Sequence, residues 1–129
     1  MNEAPCVLLA EDDRILRTAG ETSLRRKGYT VIAAVDGEDA LAKAFTHRPD
    51  LILLDVMMPK MQGFDVLARL KSDEATRDIP VIMLSNLEQE ADIRRSIEAG
   101  ARSYLVKSHV QLDELAERVA EALGEKGRE

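Results

Sequence analysis

The chain has 129 residues, of which 45% are hydrophobic and 33% charged, as is typical of one globular domain with a buried core. Acidic residues outnumber basic ones by 24 to 18, and the net charge of −6 leaves no basic footprint for nucleic acid or an anionic membrane. The one cysteine, Cys6, excludes an internal disulfide and fits a reducing cytosol, and no apolar run has the length of a membrane span. We therefore expect a cytoplasmic protein with one domain over residues 1–124 and a polar tail over 125–129.

Short apolar runs alternate with amphipathic segments along the chain. Strands are predicted at Cys6–Ala10, Thr30–Val35, Leu51–Leu54, Pro80–Leu84 and Ser103–Val106. Helices are predicted over Arg14–Lys27, Glu38–His47, Phe64–Leu70, Asn86–Gly100 and Leu112–Leu123. Strands that alternate with helices indicate βαβ units, so the expected fold is α/β: a single doubly wound, five-stranded parallel sheet of the flavodoxin-like type, with helices on both faces.

Residues at the ends of these segments refine the prediction. Gly28 is typical of a glycine that ends a helix, and Asp36 with Gly37 predicts a turn. Asp13 and Asp36 are interpreted as helix-start or turn residues. Asn86, with Gln89 three positions later, resembles a capping box that opens the fourth helix.

Polar side chains follow four of the five predicted strands. Glu11 and Asp12 follow the first strand, Asp55 the third, Ser85 the fourth and Lys107 the fifth. In a sheet of order 2-1-3-4-5 these strand ends are contiguous, at the switch point between the first and third strands. Ligands bind at this edge of open α/β sheets, so we expect the five residues to form one site.

The residue types at this edge indicate phosphoryl chemistry with a metal ion. Three crowded carboxylates repel unless a cation joins them, and oxygen ligands with room for water favour Mg²⁺ over Ca²⁺. A lysine can pair with the acids at rest and with a phosphoryl group after reaction, while a hydroxyl can donate to the same group. One carboxylate is then available as a nucleophile, which gives an aspartyl phosphate.

From about Cys6 to Leu123 the chain resembles the receiver domains of two-component response regulators. The matching residues are Glu11-Asp12, Leu54-Asp55-Val56-Met57-Met58-Pro59, Gly63, Ser85, Ala99-Gly100-Ala101 and Tyr104-Leu105-Val106-Lys107.

The resemblance implies a role for each site residue. Asp55 would accept a phosphoryl group, and Asp12, Asp55 and the backbone carbonyl of Met57 would hold Mg²⁺, with Glu11 acting through a bound water. Lys107 would contact the phosphoryl oxygens. Ser85 would move toward these oxygens, and Tyr104 would report the switch by its rotamer.

The resemblance also implies partners. The phosphoryl donor would be a sensor histidine kinase or a histidine phosphotransfer protein, and a downstream protein would dock on the face formed by helix 4, strand 5 and helix 5. Direct contact with nucleic acid or membrane is not expected, and phosphorylation could cause homodimerisation. The chain would be a signalling domain and not an enzyme, catalysing only its own phosphorylation and a slow autodephosphorylation.

Two positions depart from the family pattern. Ser108 follows Lys107 where most receivers have proline, and a cis bond before a non-proline residue costs about 2.5–4 kcal/mol. We therefore expect a trans bond here, with Lys107 in strand five and its side chain still reaching Asp55. Asn86 follows Ser85 where most receivers have a small residue, and it could either narrow access to the phosphoryl group or simply cap a helix.

Three alternative functions compete with this one. A receiver fold could act as a docking module without phosphorylation, although the complete set of site residues argues against this. An aspartate-dependent phosphatase would have a second acid two residues past the nucleophile, where Met57 stands. A flavin-binding protein would need a hydroxyl-rich loop after strand one, where Glu11, Asp12 and Asp13 would repel a phosphate.

Overall fold

The computed structural model describes residues 4–86 and 89–124, which form a parallel sheet flanked by helices. The strand order is β2-β1-β3-β4-β5, which confirms the predicted doubly wound topology. The elements are β1 (Cys6–Ala10), α1 (Arg14–Arg26), β2 (Thr30–Ala34), α2 (Gly37–His47), β3 (Leu51–Asp55), α3 (Gly63–Lys71), β4 (Val81–Ser85), α4 (Glu90–Glu98), β5 (Ser103–Val106) and α5 (Leu112–Ala122).

The sheet separates two apolar cores because alternate residues of a strand face opposite sides. Leu8 of β1 pairs with Ile52 of β3, and both belong to the core beneath α2 and α3. Leu9 and Leu53 are likewise paired, and they belong to the core beneath α1 and α5. All five residues of β3 are buried, so the strand that ends at Asp55 is anchored on both faces.

The predicted helix ends are largely confirmed. Asp13 is the N-cap of α1 and accepts a hydrogen bond from the Leu16 N–H at 3.0 Å. Asp36 is the N-cap of α2 and accepts from the Asp39 N–H at 2.7 Å. Gly28 has φ of 99°, the left-handed conformation expected of a glycine after a helix.

Two local predictions are wrong. The first helical residue of α4 is Glu90 and its N-cap is Gln89, so Asn86 lies a full turn too early to cap the free amides of this helix. Lys107 does not belong to β5, which ends at Val106; it opens a 3-10 turn over Lys107–His109, closed by a hydrogen bond from the Val110 N–H to the Lys107 carbonyl at 3.4 Å.

The bond between Lys107 and Ser108 is trans, as predicted, and no cis bond occurs among the described residues. None of the described helices is both long and apolar enough to cross a membrane. The predicted polar tail over 125–129 lies outside the described residues.

Candidate functional site

The carboxyl ends of β1 and β3 bring three acidic side chains together. Glu11, Asp12 and Asp55 each present a carboxylate oxygen, and these oxygens all lie within 4.8 Å of one another. Glu11 and Asp55 are both buried, at 3% exposure, whereas Asp12 is exposed. The cluster is therefore closed at its base and open to solvent beside Asp12.

Lys107 supplies a cation to the two buried acids. Its Nζ donates to Glu11 Oε1 at 2.6 Å and to Asp55 Oδ2 at 2.7 Å. The predicted approach of Lys107 to Asp55 is confirmed, and a second hydrogen bond joins Lys107 to Glu11. With all three acids ionised, one ammonium against three carboxylates gives the group formed by Lys107 and the acids a net charge of −2.

Burial and charge together perturb the titration of Asp55 and Lys107. The pKa of Asp55 is raised to about 6. Burial is the main cause and the charge of Glu11 adds to it, whereas the hydrogen bond and charge of Lys107 and the hydrogen bond from the Met57 N–H act to lower this pKa. Burial acts to lower the pKa of Lys107, but its hydrogen bonds to Asp55 and Glu11 outweigh burial and raise this pKa above its ordinary value. The salt bridge thus keeps Lys107 charged while Asp55 stays easier to protonate than an exposed aspartate.

Backbone contacts hold the two buried acids in place. Glu11 Oε2 accepts from the Asp13 N–H at 3.0 Å, and Asp55 Oδ1 accepts from the Met57 N–H at 3.2 Å. A β-carbon at Gly63 would overlap the carbonyl oxygen of Asp55, so only glycine lets α3 begin this close to the end of β3. The loop after Asp55 therefore turns back tightly, with the Met57 peptide beside the carboxylate.

Ser85 and Tyr104 form a second part of the site. Ser85 ends β4 one residue beyond Leu84, the residue that pairs with Asp55, and its side chain is completely buried. Tyr104 on β5 is half-buried, and a side-chain hydrogen bond links it to Ser85. Burial raises the pKa of the Tyr104 hydroxyl. The two residues predicted to switch together are thus already in contact.

Arg17 contacts the loop between β1 and α1 and was not predicted as a site residue. Its guanidinium Nη1 donates to the carbonyl oxygens of Glu11 at 2.9 Å and Asp12 at 3.2 Å. A cation near the start of a helix opposes the helix dipole. That local mismatch was the signal available in the sequence.

An apolar surface beside the acids was also not predicted. Ile15 and Leu16 are 79% and 47% exposed, although their helical spacing was consistent with a core-facing position. A cavity of about 110 Å³ between α1 and α5 is lined largely by apolar side chains, and Glu11 and Lys107 lie at its edge. Its apolar lining includes Leu16, Leu112 and Leu115.

The donor set fits a small hard cation. The three clustered side chains offer oxygen ligands only, which suit Mg²⁺, Ca²⁺ or Mn²⁺ better than softer metals. Because Asp12 is exposed, waters could complete the coordination, an arrangement that Mg²⁺ favours.

A doubly wound sheet with these acids and a lysine at its carboxyl edge defines a receiver domain of two-component signalling. Residues 7–120 match the family model of the response regulator receiver domain, and the chain belongs to that family.

Individual relatives agree with this assignment. A gliding motility regulatory protein of Myxococcus xanthus is 43% identical over 113 residues, which cover 88% of this chain and 14% of that protein. The transcriptional regulatory protein AfsQ1 of Streptomyces coelicolor is 44% identical over 103 residues, covering 80% of this chain and 44% of that protein. The structure of the chemotaxis protein CheY4 of Vibrio cholerae superposes with a TM-score of 0.86 at 29% identity, covering 92% and 98% of the two chains. The aligned residues cover less than half the length of each of these two curated relatives.

Proposed function

We propose that this protein is a phosphoryl-accepting switch in which Asp55 takes the phosphoryl group from a phosphohistidine of a sensor histidine kinase or a histidine phosphotransfer protein. The observation that carries the proposal is the bridge from Lys107 to both Glu11 and Asp55, next to the exposed Asp12. A carboxylate oxygen of Asp55 would attack phosphorus. The O–P bond forms as the N–P bond of the phosphohistidine breaks, and the imidazole nitrogen leaves with the electron pair.

The acids would hold Mg²⁺ during this transfer. Asp12, Asp55 and the Met57 carbonyl are the proposed ligands, and Glu11 would act through a water. When bound, the cation would offset the charge of the phosphoryl oxygens. Because the pKa of Asp55 is about 6, its carboxylate is mostly ionised at neutral pH and ready to act as the nucleophile.

Phosphorylation would rearrange the contacts that Lys107 and Ser85 make now. Lys107 would exchange its bond to Asp55 for one to a phosphoryl oxygen, which is a charge-assisted contact of the same kind. Ser85 would donate to another phosphoryl oxygen and so release Tyr104 from its present hydrogen bond. The released ring would alter the α4, β5 and α5 face, where we place docking of the downstream protein and any homodimerisation.

Helix α4 is suited to such a change because it is weakly anchored. Among the described residues of α4, Ser96 is the buried one, and Ile97 remains 46% exposed. Few buried contacts imply a low free energy for local displacement.

The apolar surface on α1 is the proposed contact with the phosphoryl donor. Ile15 and Leu16 are exposed on the helix that follows the acids, and Leu112 lines the same cavity as Lys107. A protein that delivers its histidine to Asp55 must cover this edge of the sheet, and exposed apolar side chains there would favour its binding.

The proposal keeps the protein a cytoplasmic signalling domain and not a conventional enzyme. Its own chemistry would be limited to taking up the phosphoryl group and to slow hydrolysis of the aspartyl phosphate. Direct binding to DNA is not part of the proposal, since the chain is acidic overall.

Intact-mass measurement after incubation with acetyl phosphate and Mg²⁺ tests the proposal. Wild type should gain the mass of one phosphoryl group, and Asp55→Asn should gain none. Asp65→Asn, which removes an exposed acid on α3, is the matched control and should be labelled as wild type is. Labelling of Asp55→Asn to the wild-type extent, or no labelling of wild type, would favour a docking module that acts without phosphorylation.

A further inference from the structure

Arg17 reaches back from α1 to the loop that carries the two acids of β1. Its Nη1 bonds go to the main-chain oxygens of Glu11 and Asp12, at 2.9 and 3.2 Å, and not to their carboxylates. The side chains of both acids therefore remain available to the site.

Glu11 and Asp12 depend on this contact unequally. Glu11 is also held by Lys107, by the Asp13 N–H, and by its own N–H on the Ala34 carbonyl. Within residues 4–86 and 89–124, the contact with Arg17 is the one hydrogen bond that Asp12 makes. Among the hydrogen bonds of the described residues, the one from Arg17 therefore orients the Asp12 peptide, from which the exposed carboxylate projects.

The position of this arginine opposes the usual preference of a helix. The first turn of α1 contains no acidic residue and begins with Arg14, although the partial positive charge of a helix N-terminus disfavours cations. The acid cluster offers a compensating negative charge. Departures of this kind from local preference are expected beside functional sites.

From these contacts we infer that Arg17 is a positioning residue for cation binding. Its guanidinium fixes the main-chain carbonyls of Glu11 and Asp12 and so holds the Asp12 carboxylate where it can ligate Mg²⁺. Outer contacts that orient metal ligands typically change metal affinity 10–100-fold when they are removed. This inference rests on the proposed function, because it assumes that Asp12 is a Mg²⁺ ligand.

Two substitutions separate the geometry of Arg17 from its charge. Arg17→Met removes the donors and the charge, whereas Arg17→Lys keeps the charge on a shorter and more flexible donor. Arg25→Met is the matched control, since Arg25 also lies on α1 and donates to a main-chain oxygen, that of Val31, at 3.1 Å. Mg²⁺ would be titrated into each metal-free protein while the amide resonances of Asp12 and Asp13 are followed, with Tm measured alongside.

The expected result is a Kd for Mg²⁺ raised about tenfold in Arg17→Met and by a smaller factor in Arg17→Lys. Arg25→Met should bind Mg²⁺ as wild type does, even if its Tm falls by a similar amount. Loss of a positive charge alone would act in the opposite direction, because a more negative site attracts a divalent cation more strongly. An unchanged or lower Kd in Arg17→Met would therefore overturn the inference.

Different results would refute the proposed function and the role of Arg17. If wild type itself shows no Mg²⁺-dependent shift at Asp12 and no phosphorylation at Asp55, the proposed function fails and this inference fails with it. If wild type binds Mg²⁺ and is phosphorylated while the Arg17 variants bind Mg²⁺ equally well, only the role of Arg17 is refuted.

Discussion

The substitution Asp55→Asn is expected to stabilise the metal-free protein, and by an amount that depends on pH. Asparagine is nearly isosteric with aspartate and stands in for its protonated form, so it removes one charge from a cluster in which Lys107 can still pair with Glu11 at 2.6 Å. The pKa of Asp55 is raised to about 6, mainly by burial. An aspartate in an unfolded chain titrates near 3.9, so the difference is about 2 pKa units.

The direction in which stability changes with pH depends on whether the folded or the unfolded protein binds the Asp55 proton more tightly. Because the folded protein binds it more tightly, the stability associated with Asp55 is fully present below a pH of about 4 and is lost as the pH rises through about 6. At pH 8 the ionised carboxylate costs about 3 kcal/mol relative to a neutral group, and at pH 5 about half as much. Asp55→Asn has no carboxylate to ionise at this position, so it does not lose this stability at either pH.

Urea unfolding of wild type and Asp55→Asn in the presence of EDTA measures this difference. The variant should be more stable by about 3 kcal/mol at pH 8, and its advantage should fall to roughly half at pH 5. Asp65→Asn controls for the removal of one negative charge from the surface and should show no comparable gain. A stabilisation of Asp55→Asn that is absent, or equal at the two pH values, would refute the argument that ionisation of Asp55 strains the folded state.

Three further predictions concern the metal, the lysine and the donor surface. Mg²⁺ should bind with a Kd of about 1 mM or weaker, and Mg²⁺ at ten times its Kd should stabilise wild type by about 1.4 kcal/mol. An unchanged Tm at every Mg²⁺ concentration would contradict Mg²⁺ binding. Lys107→Ala should slow phosphorylation by acetyl phosphate and abolish the change in the Tyr104 ring resonances that follows phosphorylation. The reason is that the charge coupling the phosphoryl group to β5 is lost. A normal response at Tyr104 would count against that coupling. Ile15→Ser should slow phosphoryl transfer from a phosphorylated protein donor about tenfold. Labelling by acetyl phosphate should stay unchanged, since this small donor does not cover α1. Equal slowing with both donors would point to damage at the acceptor site.

The clustering of the acids and Lys107 at one edge of the sheet could be predicted from the sequence because of a simple property of parallel sheets. Each buried strand is a short apolar run, and the residue after it lies at the carboxyl edge. Once Asp55, Ser85 and Lys107 were assigned to successive strand ends, the strand order placed them at one edge. Caps such as Asp13 and Asp36 were predictable for a similar reason, since each bonds to an amide only three residues away.

Two predictions of where an element begins or ends were wrong because local patterns compete there. Asn86 and Gln89 have the spacing of a cap, but α4 begins only at Glu90. Lys107 follows an apolar strand, yet the chain turns there because its carbonyl closes a 3-10 turn. A propensity describes what a segment can form alone, whereas the end of an element depends on the neighbours available for hydrogen bonding.

The sequence by itself determined the alternation of strands and helices and the set of chemical groups at the sheet edge, because both depend on short-range periodicity and on strand polarity. Only the tertiary structure decided that Lys107 bridges Glu11 as well as Asp55, that Arg17 holds the carbonyls of the acidic loop, and that Ile15 stays exposed. Helical periodicity states which residues share a face, but whether that face meets another element is set by packing between distant segments. The raised pKa of Asp55 has the same origin, since burial is a property of the assembled core and not of any stretch of chain.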